Sequence, residues 1–378
     1  MRKVLVLALV FGLVFASTIL DAQKKTTKPQ PKKKASSSST TEQKKEALPR
    51  LEIKQVDAEM VEIAFKPGAG NFALYLSNDT SFPEVRIAPK GDKSVIASDT
   101  TEFPSTIKTK RVETLIATEW SKKGEKLVVT KLSPKTEYAF ALYKVGVDSS
   151  VLIQKYAFST LAAEPSRQAQ QISFGDVTDT TITLRFIFGN GEGRMLVGAK
   201  GEEVDLPQDG KEYRASARFG SREAQLGKSF VLYDGKDKTP QVTVTNLEPG
   251  TKYTFAVFEY NGNGKYRNYN AKPSANNPRS KITRLKAPEI LKVELIAPDG
   301  AFIRWKKVAN AVTYILDVAT DEEFRNKVDV YNEVDVGDLD TFELSDLVEG
   351  TTYYIRLKAR GNGIESLYSK PVKFTTSK

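Results

Sequence analysis

The chain has no cysteine and no histidine in 378 residues. Ser-His-Asp and Cys-His nucleophiles, thiolates and the usual zinc ligand sets are therefore out of reach. Two kinds of chemistry remain: carboxylates acting as a pair, as in glycosidases, and lysine nucleophiles. Carboxylates concentrate in DVYNEVDVGDLDTFELSD, residues 329–346, which holds Glu333, Asp335, Asp338 and Asp340. Calcium needs six or more converging oxygens, and this spacing does not follow the EF-hand loop, so the segment reads as a solvated hairpin with no metal. GNGEGR at 189–194 offers glycines for a phosphate cradle. Such cradles open a helix, whereas the alternating MLVGA follows here, which predicts a hairpin turn and no nucleotide or other cofactor.

The strongest local signal for binding is EYNGNGKYRNYNAKP, residues 259–273. Tyr260, Tyr266, Arg267 and Tyr269 offer flat amphipathic rings and a planar cation, the residue types enriched in binding hot spots and antibody-like loops. They are the candidate partner-binding residues. The alternative is that one or two of the tyrosines pack over the end of a domain while the Asn-Gly turns shape the loop. No Arg-Gly-Asp tripeptide occurs, so integrin-type adhesion has no support.

What must position these residues is legible as a repeat. LSPKTEYAFALYKV from Leu132, LEPGTKYTFAVFEY from Leu247 and LVEGTTYYIRLKAR from Leu347 each place Thr four residues and Tyr six residues after the leucine. The copies lie 115 and then 100 residues apart, a domain-sized period. After Tyr138, Tyr253 and Tyr353 the apolar residues keep period two, which predicts a strand with one face buried. A leucine, a polar turn and a tyrosine opening a strand match the tyrosine corner of sandwich domains, in which the phenol bonds to backbone upstream. Val61, Ile63 and Phe65, then Ile182, Leu184 and Phe186, then Ala301, Ile303 and Trp305 supply a second alternating strand in each copy. In the third, Trp305, Ala311 and Tyr314 are expected on consecutive strands.

These residues resemble the fibronectin type III family as it occurs in exported bacterial proteins. The resemblance implies an all-β chain of three tandem immunoglobulin-like sandwiches, with Tyr138, Tyr253, Tyr353 and Trp305 in structural roles. The modules are expected at residues 48–162, 163–285 and 286–378, joined at LAAEPSRQ and ITRLKAPEI by short linkers that Pro stiffens. The first is the most divergent, and the first two have Phe where the family usually has Trp. A sandwich of this size fills its interior with side chains and leaves only loops and edges, so no concave site for a carboxylate pair is expected and the chain reads as non-catalytic.

Ahead of the modules, Arg2 and Lys3 precede an apolar run from Val4 to Ala16. Residues 1–22 thus read as a secretory signal peptide cleaved near Ala16 or Ala22, with an uncleaved anchor as the alternative. No later segment is apolar enough to span a membrane, and an exported chain without cysteine must hold its domains by packing alone. The net charge of +10 sits unevenly: residues 23–46 carry +6, from Lys24, Lys25, Lys28, Lys32, Lys33, Lys34, Lys44 and Lys45 against Glu42 and Glu46. Residues 23–47 have almost no apolar content and read as a disordered tether, either a spacer or an electrostatic link to an anionic envelope polymer or lipid headgroup. Nucleic acid is not the expected partner.

The sequence therefore points to an exported cell-envelope protein that binds a protein or glycan in adhesion or scaffolding, in the periplasm, on the outer surface or outside the cell. The competing reading is an accessory subunit of an envelope secretion, assembly or polysaccharide-processing complex. Co-sedimentation of residues 23–378 and 47–378 with isolated envelopes separates the roles of tether and modules. Electrostatic anchoring predicts binding by the longer form only, weakening as salt rises.

Overall fold

The computed structural model describes residues 48–66, 72–78, 81–87, 100–102, 113–117, 125–237 and 241–378, and residues 46–378 belong to one compact unit. The expected signal peptide at 1–22 and the expected tether lysines Lys24, Lys25, Lys28, Lys32, Lys33, Lys34, Lys44 and Lys45 lie outside the described residues. No helix among the described residues is long and apolar enough to cross a membrane.

The strands fall into three pairs of sheets. The first group comprises β1 (Arg50–Val56), β2 (Val61–Lys66), β3 (Phe72–Ser77), β4 (Val85–Ile87), β5 (Thr100–Glu102), β6 (Glu113–Ala117), β7 (Glu125–Thr130), β8 (Glu137–Val145) and β9 (Ser149–Ser159). Its sheets run β1-β2-β7-β5 and β4-β9-β8-β3-β6. The second comprises β10 (Gln170–Val177), β11 (Ile182–Ile187), β12 (Gly193–Lys200), β13 (Gln225–Leu226), β14 (Ser229–Gly235), β15 (Gln241–Val244), β16 (Lys252–Asn261), β17 (Asn268–Tyr269) and β18 (Arg279–Ile282). They order as β10-β11-β15 and β13-β14-β12-β16-β17, with β18 also on β16. The third comprises β19 (Glu289–Glu294), β20 (Ala301–Lys306), β21 (Thr313–Ala319), β22 (Val334–Asp335), β23 (Thr341–Leu344), β24 (Thr352–Gly361), β25 (Ile364–Glu365) and β26 (Val372–Thr375). Here the orders are β19-β20-β23 and β22-β21-β24-β25, with β26 on β24.

Each group is a sandwich whose core comes from alternate residues of the facing sheets. Val61 and Ile63 meet Leu74 and Phe140, Ile182 and Leu184 meet Leu196 and Phe255, and Ile303 and Trp305 meet Tyr314 and Ile355, all fully buried. Trp305 lies edge-on to Tyr314 with ring centroids 5.4 Å apart. Ala311 sits half-buried in the loop before β21 instead of on a strand. The acidic segment 329–346 is no hairpin. It carries the chain from β22 in one sheet to β23 in the other and buries Tyr331 and Val336 on the way.

The repeated phrase builds the same corner three times. The phenol oxygens of Tyr138, Tyr253 and Tyr353 accept the backbone N–H of Ser133, Glu248 and Val348 at 2.9, 2.9 and 3.0 Å. Sequence reading missed the other half, a buried threonine at the end of the last strand. Thr160, Thr283 and Thr376 donate to the carbonyls of Ser133, Glu248 and Val348 at 2.7, 2.6 and 2.7 Å. Each also accepts the N–H of the phrase's own threonine, Thr136, Thr251 or Thr351, at 2.9 Å. Its spacing from the tyrosine varies between copies, so the aligned phrase does not reveal it. Gly250 and Gly350 take the left-handed backbone at φ +60, which glycine allows freely. The first copy has Lys135 there at φ +52.

The corner strands differ from expectation in one respect. β24 buries alternate residues, but β8 is buried continuously from Tyr138 to Tyr143 and β16 from Tyr253 to Tyr260. Their outer faces are covered as well. In the first module Phe82 packs on Ala139, Ala141 and Tyr143, whose hydroxyl donates to Pro83 at 2.6 Å. In the second, residues 201–224 between β12 and β13 fold back, and Val204 and Tyr213 pack with Met195, Val197, Phe258 and Tyr260 into a second small core. The unbroken apolar run FAVF, residues 255–258, is the sequence trace of a strand buried on both faces.

Replacing Thr283 by Val keeps the shape but leaves the Glu248 carbonyl and the Thr251 amide without their partner. The second module should lose about 2 kcal/mol. In the full chain this appears as faster hydrogen exchange at Thr251 and a lower urea midpoint for the second module.

Candidate functional site

The structure separates the four candidate binding residues. Tyr260 is the penultimate residue of β16 and Tyr269 lies opposite it on β17, both buried, with rings edge-on at 5.6 Å. The Arg267 guanidinium sits 4.0 Å over the Tyr260 ring and pairs with Asp234 at 2.6 Å and Glu212 at 3.1 Å. Burial, with Asp234 beside it, pushes the Tyr260 phenol up. Burial alone would lower Arg267, but its bonds to Tyr269 and Asp234 outweigh that and raise it. The 201–224 insertion closes this cluster: Asp209 accepts the Tyr269 N–H at 2.8 Å, and the Tyr269 hydroxyl donates to the Lys211 carbonyl at 2.9 Å. Three of the four are thus withdrawn from solvent, and no exposed four-residue patch exists. Only Tyr266 is partly open, and it faces the first module. The loop's composition could not show that a segment some 50 residues upstream would cover it.

GNGEGR also takes an unforeseen place. It joins β11 and β12, which belong to different sheets, so it is not a hairpin turn. It does cradle an anion, the chain's own Glu259. The N–H groups of Gly189 and Gly191 donate to its two carboxylate oxygens at 2.9 Å each, and Arg194 lies 3.4 Å away. A Cβ on Gly189 would fall 2.0 Å from the Arg167 carbonyl, and one on Gly193 2.4 Å from the Tyr260 ring. These glycines are required by close approach. The cradle is filled internally and has no room for phosphate.

The same region grips the linker from the first module. Asn268, Asn261 and Asn270 donate their side-chain amides to the carbonyls of Ala162, Ala163 and Pro165 at 2.7, 2.7 and 2.8 Å. The Ala162 N–H donates to Tyr266, and the Arg167 N–H to the Asn190 side chain, both at 2.8 Å. Across the junction Lys265 pairs with Glu137 and holds that carboxyl below its usual range, while Lys135 pairs with Glu192 at 2.8 Å. At the next junction Leu285 enters the third module's core while its neighbour Arg284 accepts the Gly250 N–H at 2.9 Å.

A sheet of three or four strands facing one of five or six, with a tyrosine corner in each module, defines the architecture. The folded part has the fold of tandem immunoglobulin-like sandwiches, as the fibronectin type III resemblance implies. No protein-family model matches the chain. Among curated proteins it is similar to receptor-type tyrosine-protein phosphatase eta of Gallus gallus, 24% identical over 254 residues, covering 64% of this chain and 15% of that protein. It is also similar to Protein sidekick homolog of Caenorhabditis elegans, 26% identical over 282 residues, 67% of this chain and 10% of that one. The chain thus spans only a small part of either relative. Among solved structures, a two-domain fibronectin type III segment from chicken tenascin matches 55% of this chain and 99% of its own at 16% identity and a TM-score of 0.31. The FN1-FN3 domains of chicken CNTN1 match 87% and 98% at 14% identity and a TM-score of 0.26. At these values the superpositions add nothing to the strand orders and corners above.

On the third module the outer face of the larger sheet carries charge instead of a second core. Asp317 on β21 is fully buried opposite Arg356 on β24. Its carboxylate accepts Arg356 Nε and Nη2 at 3.0 and 2.8 Å, Lys327 Nζ at 3.2 Å and the Glu333 N–H at 2.8 Å. The guanidinium lies between the rings of Phe324 and Tyr368, at 4.1 and 3.9 Å. Burial would raise the Asp317 carboxyl, but Arg356, the Glu333 amide and Lys327 together hold it below the usual aspartate value. A depressed folded pKa stabilises above the unfolded value of about 3.9 and is lost as pH falls through the folded one. The third module should therefore weaken progressively on acidification below that value. Asp317→Asn should flatten the slope and cost about 3 kcal/mol at neutral pH, measured by urea unfolding across pH.

Proposed function

We propose that this chain is an exported, non-catalytic envelope protein that presents recognition surfaces of its first two modules in a fixed mutual orientation, as adhesion or scaffolding requires. The observation that carries the reading is the clamp on residues 162–165. Three buried or half-buried asparagine side chains of the second module take the linker carbonyls of Ala162, Ala163 and Pro165 that water would otherwise solvate, and salt bridges flank them. A linker meant to bend would keep its carbonyls in water. A side-chain amide bonded to a buried carbonyl is costly to strip, about 1 to 3 kcal/mol for each group left unsatisfied.

Without cysteine the chain has no thiolate nucleophile, and the stretch it shares with the receptor-type phosphatase covers only 15% of that protein, which supports a non-catalytic role. The partner is an envelope protein or a glycan, and the lysine tether is placed to add attraction to an anionic polymer.

Residual dipolar couplings of the full chain test the clamp. The first and second modules should fit one alignment tensor. Asn268→Ala combined with Asn270→Ala should split it into two while each module keeps its own fold. Two independent tensors in the unaltered protein would overturn the reading.

A further inference from the structure

A cleft of about 310 Å³ opens on the second module beside the insertion. Its floor is Ala256 and Phe258 of β16, and its walls are Val204 and Leu206 on one side and Pro273 and Pro278 on the other. It exists because the last strand is interrupted. Between β17 and β18 the backbone leaves the sheet at residues 270–278, and two buried side-chain amides replace the missing strand. Asn277 accepts the Val257 N–H at 3.0 Å and donates to the Val257 carbonyl at 2.8 Å, while Gln168 accepts the Glu259 N–H at 2.9 Å.

That substitution decides what the cleft can hold. The backbone groups at Val257 and Glu259 are already satisfied, so a visiting strand finds no ladder to join there, and what faces the opening is apolar. Both walls are pinned. The insertion is fixed at Asp205, which accepts the N–H groups of Lys228 and Ser229 at 2.7 and 2.9 Å. The opposite wall is fixed by Asn277, which also donates to the Ala169 carbonyl at 2.8 Å. Such preorganisation lowers the cost of binding. The volume lies at the low end of ligand sites, about 300 to 1,000 Å³, enough for a large side chain and its neighbour. Leu206 on the rim is 59% exposed. Of the rim charges, Glu202 is paired with Lys252 and Lys272 with Glu164. Glu203 has no ion pair among the described residues.

We propose that this cleft is a recognition site for a segment of a partner protein carrying a bulky apolar side chain next to a lysine or arginine. The apolar side chain fills the space over Ala256 and Phe258, and the cation sits at Glu203. This rests on reading the chain as a binding protein and names the partner chemistry of one surface.

The test uses the full chain labelled at alanine, valine and leucine methyls, titrated with two blocked peptides, acetyl-Gly-Phe-Lys-Gly-amide and acetyl-Gly-Phe-Glu-Gly-amide. The lysine peptide should shift the methyls of Ala256, Val204 and Leu206 saturably, with the glutamate peptide weaker by about fivefold. Glu203→Lys, an exposed change that does not threaten the fold, should reverse that order. Ala256→Leu should abolish both by filling the floor. Shifts that never saturate at millimolar peptide, or equal binding of both peptides untouched by Glu203→Lys, would overturn the cleft assignment. With a single alignment tensor retained, that result would leave the scaffold reading standing.

Discussion

Each module depends on a pair of hydroxyls at one corner. The tyrosine takes an N–H of the turn, and the threonine at the end of the last strand takes the neighbouring carbonyl and a second N–H. Without them the turn between the two sheets would bury unpaired backbone groups, each costing about 1 to 3 kcal/mol. The threonine also fixes where the last strand ends, and the chain leaves for the next module only one or two residues later. Corner and junction are consequently one construction: Lys135 N–H bonds to Leu161 in the first module and Gly250 N–H to Arg284 in the second. Lys135 stands where the other copies have glycine, and its side chain reaches Glu192 of the second module.

The second module differs from its neighbours by what lies on the outside of its larger sheet. The insertion turns that face into a second core, and the charges there become buried. Arg267 is held by two carboxylates and two aromatic rings, and Glu259 by two amides and Arg194. Buried charges are tolerated only when partnered in this way, although Arg267 Nε and Asp234 Oδ1 stay buried without a hydrogen bond. The third module lacks the insertion and solves the same problem differently, stacking Arg356 between Phe324 and Tyr368 over the Asp317 carboxylate. In both, a cation on aromatic faces ties loops to the sheet.

The three corner tyrosines, Trp305 and the alternating strands were legible because their spacing along the chain is the spacing that the sandwich needs. A period of two places residues on one face whatever the neighbours are, and a Leu-to-Tyr interval of six fits one turn. The 260–269 loop was legible as unusual but not as to its role. Tyr and Arg serve equally in a hot spot and in a buried cation–π cluster, and the choice lies with the insertion, with Asp234 and with the linker. GNGEGR was open for the same reason: its amides do hold a carboxylate, but Glu259, 65 residues beyond Arg194, supplies it.

By itself the sequence determined the all-β class, the threefold repeat, the corners and the exclusion of thiol and imidazole chemistry, because those follow from residue type and local period. The tertiary structure alone decided which threonine completes each corner, which faces are covered twice, how the first linker is clamped and where a cleft opens. Those outcomes depend on groups 20 to 130 residues apart meeting in space, and no local pattern encodes which distant partner satisfies a given amide or charge.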